Sequence, residues 1–342
     1  MITQMKALKT LLIFFLLLVS ILFSLLLAEG FIRIFFPAYN PTNALHFRFN
    51  EEDVPLGRKN STARLKKNTG DFDVTVSINR YGFRDPKDLR LSKPSDFFVV
   101  GDSFSFGYGV EEWERYSDRL EKILRIPVYN ISVPGDLGSY EKLVGYAVKN
   151  GASVKNLIVG VCMENDLKDY SKAQPLPIYL VRSRSEKLEA LKLWVTYHSA
   201  LYNWIATVIH QNQKLEKTAV RMGLLIDNID GMNRSTFDEI SILSTVEKLA
   251  QITKPYRAFI VIIPSRALWV GGNQQIENRV HNELVKKLKE SKLNVIDLRP
   301  IFEEGGNPLQ YHFEHDGHWN PKGHERAAQA IAKAIRDQST SI

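Results

Sequence analysis

Residues 97–109 read Phe-Phe-Val-Val-Gly-Asp-Ser-Phe-Ser-Phe-Gly-Tyr-Gly, and their reading decides the fold. Phe97–Val100 is apolar at every position and breaks at Gly101 into a polar, turn-forming segment. A strand apolar on both faces belongs inside a sheet that is covered on both sides. The same unit recurs along the chain. Val128–Asn130 runs into Ile-Ser-Val-Pro134-Gly135-Asp136, and 157–161 (LIVGV) runs into Cys162-Met163-Glu164-Asn165-Asp166. Residues 259–263 (FIVII) and 295–298 (VIDL) are two further apolar runs. Amphipathic helical patterns fill the gaps at 113–124, 140–148, 240–249 and 276–288. A last helix begins at Asn320-Pro321, with Ala327, Ile331, Ala334 and Ile335 as its apolar stripe. Strands alternating with helices predict an α/β fold, three layers (α/β/α) around a doubly wound, parallel five-stranded sheet.

Working outward, residues 171–236 interrupt the alternation between the third and fourth strands. They carry a helical pattern with Leu188, Leu191, Trp194, Tyr197, Leu201, Trp204 and Val208, then a Gly/Asn/Asp-rich stretch. We expect a helical cap there. On the other side, 72–78 (FDVTVSI) alternates apolar and polar as a half-buried strand does, followed by a turn-rich segment at 79–85. Residues 38–70 are rich in Pro, Asn and Lys and read as a linker or extended arm. Residues 10–28 hold no charge, and nineteen helical residues span roughly 28 Å, close to a bilayer core. A cleaved signal peptide has a shorter apolar region and small residues at −3 and −1, whereas a cut after Ala28 would put Leu26 at −3. Lys6 and Lys9 precede the span, so the positive-inside rule keeps residues 1–9 in the cytoplasm. The expected order is therefore 1–9 cytoplasmic, 10–28 a transmembrane anchor, 29–94 a linker with a strand arm, and 95–342 the main domain with its 171–236 insertion.

Composition removes several function classes. The chain has 342 residues, 44% of them hydrophobic and 24% charged, which is ordinary globular usage. Its mean hydropathy of −0.19 is too polar for a multi-pass membrane protein. The single cysteine, Cys162, excludes a disulfide scaffold or a Cys-rich zinc module. The net charge is +7, of which residues 1–70 hold +5 and the rest of the chain only +2. A nucleic-acid surface is not implied.

In a doubly wound sheet the loops after the strands converge on one edge, where such folds place their sites. Here that edge collects Gly101-Asp102-Ser103, Gly135, Asn165-Asp166 and, on a longer loop, His315-Asp316-Gly317-His318. The chemistry that fits is acyl transfer to a serine. A hydroxyl needs a base within hydrogen-bond reach, and His318 is the candidate for Ser103. Asp316, two residues earlier, can reach the imidazole and hold its tautomer. The N–H groups of Ser103 and Gly135 and the amide of Asn165 are candidate oxyanion donors. Asp102, Asp136 and Asp166 read as loop-stabilising acceptors, Cys162 as a buried inert thiol, and His324 as a surface residue.

These blocks match in order and spacing those of the SGNH/GDSL hydrolases, over roughly residues 95–337. The chain further resembles bacterial membrane-anchored members of that family, with an arm like 79–85 and a DGHWNPxGH-type terminal block. Two departures are visible. Met163 stands where a Gly usually precedes the block-three Asn by two residues, and Asp316-x-His318 replaces the usual Asp-x-x-His, with His315 at the expected Asp position. The short spacing is similar to that of alginate-acetylation-type relatives. The resemblance implies a flavodoxin-like SGNH domain, a serine esterase needing no cofactor or metal, and an ester of a small molecule or glycan as substrate. With the anchor, it implies residence in a bacterial inner membrane with the domain periplasmic or extracellular. Alternatives are an O-acyltransferase modifying envelope polysaccharide, a non-catalytic glycan-binding protein, and a metal site built from His312, His315, Asp316 and His318.

Overall fold

The computed structural model describes residues 2–41, 45, 47–67, 69–172, 194–196, 198–222, 234 and 236–339. Its nine described strands are β1 (Phe47–Phe49), β2 (Pro55–Gly57), β3 (Ser61–Lys66), β4 (Asp73–Ile78), β5 (Phe97–Val100), β6 (Val128–Asn130), β7 (Asn156–Cys162), β8 (Arg257–Ile263) and β9 (Val295–Asp297). The described helices are α1 (Ile2–Phe35), α2 (Ser103–Phe106), α3 (Tyr116–Leu124), α4 (Leu137–Lys149), α5 (Ala200–Gln211), α6 (Gln213–Arg221), α7 (Glu239–Thr253), α8 (Gln274–Glu290), α9 (Arg299–Glu303) and α10 (Pro321–Ser339).

Strands β5 to β9 form one parallel sheet in the order β6-β5-β7-β8-β9. The expected α/β/α architecture and its five strands are borne out. Period-2 alternation distributes the core over both faces. Phe98 and Val100 join Leu157, Val159 and Val161 with α4, α7 and α8 on one side. Phe97 and Val99 join Ile158, Phe259 and Val261 with α3 and α10 on the other. All seven residues of β7 are buried, as a central strand requires. The chain steps from β5 outward to β6, then back across β5 to β7. The crevice between the carboxyl ends of β5 and β7 is thus the switch point of the sheet.

Residues 38–70, read as a linker or extended arm, hold β1, β2 and β3. β1 pairs with β2 and β3 with β4 as two antiparallel hairpins, and Val54, Leu56 and Ala63 are buried. The reason is that the 72–78 strand needs a partner for its backbone groups, and the chain just before it supplies one. In the insertion, residues 173–193, 197, 223–233 and 235, including Leu188, Leu191, Tyr197 and most of the Gly/Asn/Asp-rich stretch, lie outside the described residues. Its described helix α5 docks on the end of α1: Glu29 accepts hydrogen bonds from Ser199 Oγ (2.8 Å) and from the Ala200 and Leu201 N–H groups (both 2.9 Å). Helix α1 includes a 26-residue stretch, Thr10–Phe35, long and apolar enough to cross a membrane, and its residues 10–27 are exposed.

Candidate active site

Strand β5 ends at Val100, and Gly101 and Asp102 turn the chain into α2. Asp102 caps that helix, accepting from the Phe104 N–H at 3.0 Å. Ser103 is therefore the first helical residue, where a backbone N–H has no intrahelical acceptor and points outward. The turn sits tightly on β7. A Cβ on Gly160 would lie 2.3 Å from Ser105 Oγ, and one on Gly101 only 2.2 Å from it. Glycine at both positions lets the helix carrying Ser103 lie directly over the sheet edge. Ser105 Oγ is itself held by the Tyr116 hydroxyl at 2.8 Å.

His318 arrives on a loop closed by its own backbone: Phe313 N–H donates to His318 O and Asn320 N–H to Tyr311 O, each at 3.0 Å. Next to it, Trp319 is fully buried and anchors the loop. His318 Nε2 lies 2.8 Å from Ser103 Oγ, and its Nδ1 lies 2.5 Å from Asp316 Oδ1. A carboxylate only accepts, so Nδ1 carries the proton and Nε2 is free to accept from the serine hydroxyl. The ring is flanked by Tyr108 and Phe104, with centroids 4.6 and 5.1 Å away. Burial alone would raise the Asp316 carboxyl. The hydrogen bond from His318 and the charges of His318 and Lys67 outweigh burial and hold it well below the usual carboxylate range. Asp316 is thus the acceptor that keeps the imidazole oriented.

Of the oxyanion candidates, Asn165 is exposed after β7, and its Nδ2 donates to Asp102 Oδ2 at 3.1 Å, which ties it to the residue preceding Ser103. Gly135 lies in the loop after β6, the strand beside β5, just ahead of Asp136, whose side chain caps α4. Three of the expected site residues are thus joined by direct hydrogen bonds, Asn165 is one residue removed, and Gly135 shares the edge. Beneath them Asp102 and Asp166 are both buried. Burial and the nearby Asp102 push the Asp166 carboxyl up, and Tyr140 OH stands 3.1 and 3.0 Å from its two oxygens. Burial also pushes the Cys162 thiol up, with the Asp102, Glu164 and Asp166 carboxylates adding to it, so the thiol is neutral and inert.

Three contributors escaped the sequence reading. Lys67, from the β3–β4 tip, puts Nζ 2.8 Å from Asp316 Oδ2. A Gly-containing turn ahead of the alternating 72–78 segment could have marked the hairpin, but nothing local marks its contact with Asp316. Arg266, after β8, binds Glu164 through its N–H (2.9 Å) and Nε (3.3 Å). Its guanidinium lies across Gly317, where a Cβ would be 2.3 Å from Nη2. That contact explains a glycine between Asp316 and His318. Arg234 donates to Met163 O and pairs with the buried Glu277. One expectation is corrected: His324 is not on the surface but 1% exposed, because its helix face packs on α3, and its Nδ1 accepts from the Tyr116 N–H at 3.2 Å. The crowded histidines diverge. His315 faces Asp71, and His312 is buried against Trp269 and Phe302, where desolvation and Arg266 push it down to about 3.

Residues 260–342 match the family model of the SGNH hydrolase-like domain of acetyltransferase AlgX, a stretch that holds Arg266, Asp316 and His318. This match bears out the SGNH resemblance read from the sequence blocks. No curated protein matches the chain. Among solved structures, it is similar to a member of the lipolytic protein G-D-S-L family from Veillonella parvula DSM 2008, at 12% identity over 70% of this chain and 96% of that one, with a TM-score of 0.40. It is also similar to a catalytic mutant of the acetylxylan esterase Axe2 from Geobacillus stearothermophilus (10% identity, 72% and 96% covered, TM-score 0.39). A third is the lipase/acylhydrolase from Enterococcus faecalis (10% identity, 71% and 96% covered, TM-score 0.40).

Proposed function

We propose that this protein is a membrane-anchored serine esterase that cleaves a short acyl ester through an acyl-serine intermediate. The observation that carries the reading is the continuous relay from Ser103 Oγ to His318 Nε2 (2.8 Å) and from His318 Nδ1 to Asp316 (2.5 Å). Ser103 Oγ attacks the ester carbonyl carbon while Nε2 takes its proton, and Asp316 stabilises the imidazolium that results. The tetrahedral oxyanion is met by the Ser103 and Gly135 N–H groups and the Asn165 amide, which leaves Asp102 to do so. Collapse expels the alcohol, which receives the proton from Nε2, and leaves the acyl group on Oγ. Water, deprotonated by His318, then releases the carboxylic acid and regenerates the serine. Helix α1 would hold the domain on the outer side of a bacterial inner membrane, with Lys6 and Lys9 inside.

A second reading has one observation in its favour, the match of residues 260–342 to an acetyltransferase domain. The two readings share every step up to the acyl-serine. They differ in whether water or a sugar hydroxyl held at high effective molarity takes the acyl group. The test uses the full chain in detergent. A fluorophosphonate should label it at Ser103, and Ser103→Ala should abolish labelling. Towards p-nitrophenyl acetate, Ser103→Ala and His318→Ala should each remove most turnover. The double variant should be little worse, because the pair acts as a unit. Additive losses would break the proposed relay. Acetate appearing on an added oligosaccharide, with free acetate falling in proportion, would replace the hydrolase by the transferase.

A further inference from the structure

We propose that Lys67 is a positioning residue of this site, so that the hairpin ahead of the domain completes the catalytic relay. The inference rests on the serine hydrolase reading. It starts from the short Asp316-x-His318 spacing. Asp316 Oδ1 serves its own loop twice, meeting His318 Nδ1 at 2.5 Å and the His318 N–H at 3.0 Å. A carboxylate so close in sequence can swivel to satisfy the backbone N–H alone and lose the ring. Its second oxygen prevents this, because Lys67 Nζ holds Oδ2 at 2.8 Å from 249 residues away in sequence.

Lys67 is itself held by a rigid support. Its N–H donates to Phe72 O and its carbonyl accepts from the Gly70 N–H, each at 3.0 Å, closing the tip of the hairpin. Phe72 wedges between Tyr108 and Phe313, with centroids 5.6 and 5.1 Å away. Tyr108 packs at a tilt against the His318 ring, and Phe313 N–H donates to His318 O. Asp71 Oδ1 accepts from the His315 N–H at 3.1 Å. The hairpin thus grips the loop just ahead of Asp316, at Phe313 and His315, and Lys67 is aimed by that grip.

The test follows the rate of fluorophosphonate labelling of the full chain at pH 7, which needs no knowledge of the natural substrate. Lys67→Met keeps the length of the side chain and removes its donors to Asp316. It should slow labelling roughly tenfold. Lys67→Arg, which keeps a donor for Asp316, should restore most of the rate. A Lys67→Met protein that labels at the wild-type rate overturns the proposal. So does a loss of rate that Lys67→Arg does not recover, which makes Lys67 a structural tether only. A wild-type chain that does not label overturns the hydrolase reading itself, and the role of Lys67 with it.

Discussion

At the scale of single residues, the sharpest division lies between groups that touch the reacting atoms and groups that hold them. Asn165 belongs to the first kind in our reading. Its amide spends one N–H on Asp102 at rest and is exposed on its other side, so it can turn to a developing oxyanion. Asn165→Ala should lower kcat on p-nitrophenyl acetate by about 10²–10³ and leave KM nearly unchanged, because the amide acts mainly on the transition state. Steady-state kinetics decides it. A raised KM at intact kcat would make Asn165 a ground-state binding residue. Gly317 and Gly160 are of the second kind. Each is small because another side chain, Arg266 or Ser105, occupies the space a Cβ would need.

At the scale of elements, the arm before the sheet is where local pattern and final structure part most. Its turn at 79–85 delivers Asp85 to the edge strand β6. Oδ2 accepts from the Asn130 N–H at 2.7 Å, and Oδ1 from the Lys87 N–H at 2.8 Å. Burial pushes this carboxyl up to about 6, although Lys87, Arg115 and the two N–H groups pull the other way. Its folded value lies above the unfolded one near 3.9. The stability it contributes is therefore complete below about pH 4 and is lost as the pH climbs through about 6. The loss is on the order of 3 kcal/mol from this one group. Thermal melts of the wild type and Asp85→Asn between pH 4 and 7 should diverge, with the variant gaining relative stability as pH rises. Parallel curves would remove Asp85 as the source. Elsewhere the elements are closed by short polar side chains: Asp136 caps α4, Asp238 caps α7, and Glu29 does the same for α5 from another helix. Such a cap is worth about 1 kcal/mol.

At the scale of the whole molecule, an α/β domain follows a long apolar helix. Helix α1 runs from Ile2 to Phe35 and meets α5 at its far end through Glu29 and through Arg33, whose Nη2 donates to His198 O at 2.7 Å. Helix α1 and α5 are therefore joined, and α5 reaches from there to the hairpin tip, where Gln211 Nε2 meets Thr69 O at 3.4 Å. With Lys6 and Lys9 ahead of the span, an alkaline phosphatase reporter fused after Ile342 should be active outside the cytoplasm. The mature protein should stay in the membrane fraction with its N-terminus intact. Recovery of a water-soluble protein starting near Glu29 would show a cleaved leader instead.

What the sequence determined by itself was whatever is written in short-range pattern. The five apolar runs and the helices between them are periodicities, and periodicity follows from how neighbouring side chains share a face. The edge on which Ser103, Gly135, Asn165 and His318 gather follows from the same pattern, because parallel strands send all their following loops to one end. What only the tertiary structure decided are the contacts whose partners are far apart in the chain. Lys67 on Asp316, Arg266 across Gly317, and the burial of His324 against α3 leave no local trace. Lysine, arginine and histidine suit an exposed surface equally well, and their place is set by packing between elements rather than by their neighbours in sequence.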